Sequence, residues 1–298
     1  MMMRSVLLLL ASCSAAAPRA LSVSNDFEIH MRRASRVGER EAVVVDATIA
    51  ESSKTYTEQV LLKHDEKKFR LHLDAIAETR AVDAFDQPTR VDFAIRAFTK
   101  DDVALVAPGK HVVIATAPKK KDAVVEIDGA PASAEMRTLV DEVVPVARRE
   151  GDADVVFGTR ARKRVGDAWP FDRAAVVHEL ARTGVIAKPD AVSGHVSLAG
   201  TTRAGGIDCA VVRIDLAVSA FEPETALPEG SEITRSRVAV RVDELLPLDA
   251  HLSRRGDETL VHAEFEAFVP VKGQAEVAGV TVEHVTDRTR RATFAPAP

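Results

Sequence analysis

This chain of 298 residues is poor in cysteine and in large aromatic side chains. It has two cysteines, Cys13 and Cys209, and a single Trp and a single Tyr. Because Cys13 falls in an amino-terminal segment that we interpret below as an export signal, Cys209 is the one thiol left in the body of the chain. We therefore expect no internal disulfide. The remaining sequence, about 280 residues, is long enough to bury a substantial core without such cross-links.

The chain also lacks a surplus of positive charge and a second long apolar run. Its formal net charge is −5, and removal of Arg4 with the signal leaves 39 basic residues and a net charge of −6. Nucleic-acid binding requires basic side chains that neutralise phosphates, so we expect no nucleic-acid partner. Beyond residue 17 no apolar run reaches the roughly 18 residues that span a bilayer, which predicts no further membrane segment.

Signatures of catalysis are missing as well. The sequence has no Gly-x-Ser-x-Gly elbow, no Gly-x-Gly-x-x-Gly turn and no closely spaced pair of cysteines. His178 and Glu179 begin like the helical zinc motif, but Arg182 occupies the position of the second His ligand, where its charge would repel the metal. We therefore predict a non-catalytic protein without a cofactor.

The first seventeen residues have the composition of an export signal. Arg4 provides a positive start, Ser5 to Ala11 form a short apolar stretch, and Leu10 to Cys13 has the small-residue pattern of a bacterial lipoprotein cleavage site. We interpret Cys13 as the lipidated first residue of the mature chain. Its acyl chains would tether the protein to a membrane, each buried CH₂ contributing about 0.8 kcal/mol. The alternative is ordinary cleavage near Ala16, which would give a soluble secreted product.

The same segment bears on the start and the destination of the chain. Met1, Met2 and Met3 are alternative initiators. Ser14, which follows the cysteine where Asp would otherwise stand, resembles the pattern of lipoproteins sent to the outer membrane. We predict an exported protein of the outer membrane or periplasm, with residues 18–25 as a short tether.

Beyond the tether, apolar and polar residues alternate with a period of two, which is typical of half-buried strands. The pattern is clearest at 27–31, 43–49, 91–95, 112–114, 210–216, 238–242 and 261–267. Turn residues such as Pro108-Gly109 and Asp128-Gly129 join these segments over short distances and favour antiparallel pairing. We predict a mainly β (α+β) fold: a curved, largely antiparallel sheet or half-barrel with two covering helices in mid-chain.

Two segments in the middle of the chain have helical spacing instead. Ser133 is a suitable N-cap for a helix that ends or kinks at Pro145. Asp172 is a suitable N-cap for a second helix to Arg182. This layout predicts an amino-terminal β-rich lobe at 26–150 that ends in a helix. A second lobe at 151–298 begins with the other helix, and we expect the two to associate as one unit.

The candidate catalytic or metal-binding residues are a row of polar side chains on one strand and a single cysteine. His262, Glu264 and Glu266 alternate with apolar neighbours, so their side chains project from one face of a strand at intervals of about 7 Å. This row is a metal or acid–base candidate, or the water-facing side of the sheet, which we favour. Cys209 is interpreted as a small buried hydrophobe, since a nucleophile would need partners that spacing does not reveal.

A basic cluster occurs early in the chain. Its members are Arg32, Arg33, Arg36 and Arg40. Close to a lipid anchor they could contact anionic head groups. We favour ordinary solvated strand faces.

The only Trp lies in a turn directly before the second predicted helix. Gly166 and Asp167 suit a turn, and Trp169 is large enough to anchor that turn to the core. A Val-Gly-Asp-x-Trp turn in mid-chain, flanked by two sets of strands, resembles a group of uncharacterised bacterial exported proteins and lipoproteins. That group has no assigned activity, so the resemblance implies no functional residue. The layout is also similar, at the level of fold analogy, to lipoprotein carriers that hold acyl chains.

These observations lead to one functional hypothesis and two alternatives. We predict an exported, lipid-anchored envelope protein that acts as a non-catalytic binding or structural module of unknown activity. The first alternative is a carrier of a lipid or other hydrophobic ligand, with a cavity between sheet and helices. The second is an undetected hydrolase or metal enzyme.

Overall fold

A computed structural model describes residues 26–84, 86–116, 123–144, 153–182, 185–223, 227–271 and 279–297. The amino-terminal half forms seven strands, β1 (Arg40–Thr57), β2 (Val60–Val82), β3 (Pro88–Lys100), β4 (Val103–Val106), β5 (His111–Ala115), β6 (Val124–Ile127) and β7 (Ala130–Pro131). The helices that follow are α1 (Ala134–Val143), α2 (Ala153–Val156) and α3 (Arg173–Arg182), with β8 (Ala168–Trp169) between α2 and α3. The carboxy-terminal half contains β9 (Val185–Ile186), a 3₁₀ turn (Pro189–Ala191), β10 (Val192–Ala204), β11 (Ile207–Val218), β12 (Glu222–Pro223), β13 (Glu232–Pro247), β14 (Gly256–Pro270) and β15 (Gly279–Pro296).

One antiparallel sheet of thirteen strands organises the described residues. Its order is β7-β6-β5-β3-β2-β1-β15-β14-β13-β11-β10-β8, with β4 paired to β3 off this path. The two halves of the chain meet where β1 pairs with β15, from Glu41↔Pro296 to Tyr56↔Thr281. The sheet is curved and its end strands leave it unclosed, so the mainly β fold class is confirmed.

Both predicted helices form, and both begin at their predicted caps. The Ser133 hydroxyl accepts a hydrogen bond from the Met136 amide at 3.2 Å. The Asp172 carboxylate accepts the amides of Ala174 and Ala175 at 2.9 and 3.1 Å. These side chains satisfy amides that have no partner inside the first helical turn. The short helix α2 is an addition to the two that were predicted.

The alternating segment 27–31 forms no strand, contrary to the prediction. Phe27 makes a single bridge to Lys163, and the carboxylate of Asp154 accepts the amides of Met31 and Arg32 at 2.5 and 3.2 Å. A side chain therefore satisfies amides that a neighbouring strand would otherwise bond. Ile29 and Met31 are buried all the same, so the alternation reflects burial of one side of the segment.

Two apolar clusters lie on the same face of the sheet, which we call the inner face. Residues directly opposite one another in neighbouring strands share a face. A chain of opposite residues therefore runs along a single face from the first cluster to the second. Its pairs are Val45↔Ala292, Ala292↔Asp257, Asp257↔Glu244 and Glu244↔Val212. The first cluster joins β1–β6 to α1, and the second joins β10, β11 and β13 to α2, α3 and the segment from Ile29 to Met31.

One glycine is required by a close approach of two strands. Gly194 of β10 has φ +131°, and a Cβ there would lie 2.0 Å from the carbonyl oxygen of Asp215. Only glycine adopts such a backbone without strain. Within the described residues, no helix is both long enough and apolar enough to cross a membrane.

Candidate functional site

A polar strip separates the two apolar clusters on the inner face. Its members are Glu244 of β13, Arg255 directly before β14, Asp257 at the start of β14, and Arg288 and Arg290 of β15. The registers of β13, β14 and β15 place Asp257 and Glu244 opposite each other on the inner face, and Arg290 opposite Thr259. Glu244, Arg255 and Asp257 are buried. Charges in such a position are costly unless they are paired or bound, which makes the strip the first place to look for function.

Helix α1 covers the inner face on one side of this strip. Its buried side chains are Leu139, Val140 and Val143. The cleft between the helix and the sheet has a volume of about 10 Å³, room for no more than one water molecule. It is lined by Leu73, Phe93, Ile95, Phe98, Val112, Ile114, Val140, Val143 and Val144. Every one of these side chains is apolar, but the cleft is too small to be the ligand cavity that the carrier alternative predicts, because α1 packs directly on the sheet.

Two arginines of the polar strip hold the carboxyl end of α1. Arg290 donates from Nε to the Val143 carbonyl oxygen at 2.9 Å and bonds Asp257 through Nη1. Arg288 Nη1 lies 3.1 Å from the Glu142 carboxylate. The last carbonyls of a helix lack partners within it and carry partial negative charge, so cations are favourable there. We call these contacts the helix latch.

The predicted polar stripe lies on the opposite, outer face and is internally paired. His262 contacts Asp287 at 2.7 Å and Glu264 at 2.9 Å. Arg237 binds Glu264 through two hydrogen bonds of 2.7 Å, while Glu266 lies 3.0 Å from Arg235. The Arg237 hydrogen bonds, followed by that of His262, lower the pKa of Glu264 to about 2. No group of three or more His, Cys, Asp or Glu side chains that could hold a metal is present in the described ranges.

An open groove of about 510 Å³ runs over β11, β13, β14 and β15. Ala217, Ala239 and Leu260 are among the residues that line it. Its charged walls are already paired within the protein, since Arg241 bonds Asp215 at 2.8 Å. We therefore regard the polar strip and α1 as the stronger candidate site.

The Trp turn joins α2 to the second cluster. Trp169 is 5% exposed and donates from Nε1 to the Phe157 carbonyl oxygen at 2.8 Å. Gly166 has φ +94° and donates to the Leu198 carbonyl oxygen at 2.8 Å, while the Leu198 amide donates to Asp167. The turn is thus bonded to β10 on both sides, and its Trp lies in the apolar cluster.

Cys209 and Arg33 occupy the sheet end near the polar strip. Cys209 is fully buried, and desolvation raises the pKa of its thiol, which disfavours the thiolate that a nucleophile needs. Arg33 was expected on a solvated face, but it bonds the carbonyl oxygens of Pro247 and Asp249 at 2.9 and 3.2 Å. The prediction was wrong for Arg33 because the 27–33 segment lies on the second cluster and brings this side chain to the end of β13. Cys13 and the rest of the export signal lie outside the described residues.

The sequence predictions did not identify the polar strip or the helix latch. The sequence did contain a signal for the polar strip. On the apolar side of β14, every second residue before Val261 shares its face, and these residues are Thr259, Asp257 and Arg255. Charged residues at positions that should face the core are the pattern that indicates a buried polar site.

Comparison with known proteins gives little further guidance. No family model matches the chain, and no curated protein sequence does. A DUF1329 family protein from Desulfovibrio piger is 11% identical, with a TM-score of 0.19 over 85% of this chain and 87% of that one. A LolA superfamily protein from Nitrosomonas europaea is 8% identical, with a TM-score of 0.15 over 85% and 87%. A FadL homologue from Pseudomonas aeruginosa is 7% identical, with a TM-score of 0.22 over 87% and 90%. At these TM-scores the likenesses support no statement about function.

Proposed function

We propose that this protein is a non-catalytic module of the bacterial cell envelope that carries a hydrophobic ligand on its inner face, beneath α1. The observation that carries the proposal is the cleft under the helix. All nine side chains that line it are apolar, whereas the helix is held at its carboxyl end through the charged helix latch. The envelope location rests on the export signal and on Cys13 as a lipid anchor.

The packed cleft represents a closed form. Ligand pockets have volumes of about 300–1,000 Å³, so a ligand must displace α1 from the sheet. Exposure of Leu139, Val140 and Val143 would cost about 1.5–3 kcal/mol for each side chain. The apolar part of a ligand that occupies the same surface offsets this cost, and without a ligand the helix stays closed.

A purely structural role is the alternative, because the closed cleft already buries its apolar residues without a ligand. The two functions differ in one respect that can be measured. A carrier opens to an apolar probe, and opens more readily when the latch is weakened. A structural module binds no such probe under native conditions.

The test uses the uncharged fluorescent probe N-phenyl-1-naphthylamine with the wild-type chain and the variant Arg288→Gln. This substitution removes the ion pair with Glu142 and a longer contact of 3.9 Å with Glu51 of β1, and it leaves the Arg290 contacts in place. A partly exposed pair contributes up to about 1 kcal/mol, so we expect Arg288→Gln to bind the probe about 2–5-fold more tightly. The matched control is Arg291→Gln, which removes a pair with Glu258 elsewhere on β15 and should bind like the wild type. Absence of probe binding in all three proteins would favour the structural role.

A further inference from the structure

Arg255 is a buried cation whose hydrogen-bonding capacity is largely unused. It is 7% exposed, and neither Nε nor Nη1 has a hydrogen-bond partner among the described residues. The pairs Leu245↔Gly256 and Gly256↔Thr293 place the next residue, Arg255, on the inner face between Leu246 and Phe294. The side chain therefore lies at the end of the polar strip, between Leu246 of the second cluster and Phe294, which packs against the first.

A buried guanidinium with two unpartnered nitrogens needs an explanation. Arginine stays charged in proteins, so burial cannot be relieved by loss of its proton. A buried charged group without hydrogen bonds costs far more free energy than one that is paired. Arg33 Nε, at the same end of the sheet, also lacks a hydrogen-bond partner within the described part of the chain.

The carboxylates nearby form no hydrogen bond with these Arg255 atoms. Asp257 is bonded to Arg290 through Oδ1, whereas its buried Oδ2 lies 3.6 Å from Arg254 and has no hydrogen-bond partner within the described residues. Glu41 accepts a hydrogen bond from the Ser253 hydroxyl. None of these bonds reaches the Arg255 atoms that lack partners.

We propose that Arg255 binds the anionic group of the ligand, a carboxylate or a phosphate, while the apolar part of the ligand lies on the inner face. The planar guanidinium has two edges, Nε with Nη2 and Nη1 with Nη2, and either edge matches two oxygens of a carboxylate or a phosphate. Arg254 lies at the rim, 39% exposed and 4.9 Å above the Phe294 ring, where it meets an incoming anion first. The position of the apolar part of the ligand rests on the proposed function. The anion site rests on the burial and the missing hydrogen bonds of Arg255 alone.

The experiment compares four probes by isothermal titration calorimetry with the full chain: dodecanoate, dodecyl phosphate, dodecanol and inorganic phosphate. We expect the wild type to bind both anionic amphiphiles at least 10-fold more tightly than dodecanol. Arg255→Gln should abolish this preference and leave dodecanol affinity unchanged, and Arg255→Lys should retain part of it. Arg291→Gln, whose arginine pairs with Glu258, is the matched control and should behave as the wild type.

The outcomes separate the anion site from the hydrophobic-ligand function. Equal wild-type affinities for dodecanoate, dodecyl phosphate and dodecanol would overturn the anion site without any variant, as would a preference that survives in Arg255→Gln. If no amphiphile binds but inorganic phosphate does, in a manner lost with Arg255→Gln, the anion site stands and the carrier function fails. If none of the four probes binds, the anion site is wrong as well.

Discussion

Replacement of Trp169 tests how the mid-chain turn is attached to the body of the protein. Trp169→Ala removes a side chain that is 5% exposed, together with its hydrogen bond to the Phe157 carbonyl oxygen. Large aromatic side chains lost from cores cost about 3–5 kcal/mol. The orphaned carbonyl adds to this cost, so we expect the upper part of that range. Trp169→Phe keeps most of the apolar surface and loses the hydrogen bond, which predicts about 1–2 kcal/mol.

Urea denaturation followed by far-ultraviolet circular dichroism is the suitable assay, because the variants lose the only Trp fluorescence of the chain. The midpoint should shift without a change of slope if the folded and unfolded states keep their compactness. Val165→Ala is the matched control, since Val165 is 53% exposed in the same turn and should change stability by less than about 0.5 kcal/mol. A loss below about 1 kcal/mol for Trp169→Ala would refute the assignment of Trp169 as an anchor.

Three further predictions concern other parts of the chain. Cys13→Ser should prevent lipidation and release the protein from membranes, and an unmodified wild-type mass with cleavage beyond Cys13 would contradict this. The hydrogen bonds that His262 donates to the Asp287 carboxylate and then to that of Glu264 raise its pKa above 6.5. Its stabilising contribution is therefore complete below pH 6.5 and is lost as the pH rises through the higher folded-state pKa. Titration by NMR should place the His262 midpoint above 6.5, and a midpoint below it would exclude these bonds in solution. Gly194→Ala should destabilise the fold by at least about 1–3 kcal/mol through backbone strain, whereas Gly200→Ala, with nothing within 4 Å, should be nearly neutral in thermal unfolding.

The sequence predicts the fold best where one face of a strand is apolar and where a cap precedes a helix. The alternating segment 261–267 lies within β14, and the first strand of the large sheet after α3 begins at Val192. The prediction missed β15 because its inner positions include Arg288 and Arg290, so the alternation of apolar residues is broken. It also missed β2. The first residues of this strand, 60–68, are exposed and show no apolar face, but Phe69, Leu71 and Leu73 alternate with polar residues and are buried, so this half of the strand carried the usual signal.

The candidate site could be read from the sequence only in part. Strand periodicity places charged residues at inward positions of β14, but it does not show which strand lies beside it. The pairing of β1 with β15 joins residues more than two hundred positions apart, and the latch depends on a helix that folds back onto this junction. Tertiary contacts of this kind are set by the whole sheet, so no local pattern reveals them.

Native mass spectrometry of the full chain, purified gently from its own cell envelope, tests the central claim most directly. If the inner face carries a hydrophobic ligand, part of the protein should retain a small amphiphile that is lost on stripping and regained on addition of dodecyl phosphate. The carrier function would be contradicted if the purified wild-type protein has no bound small molecule and binds neither dodecyl phosphate nor dodecanol when these are added.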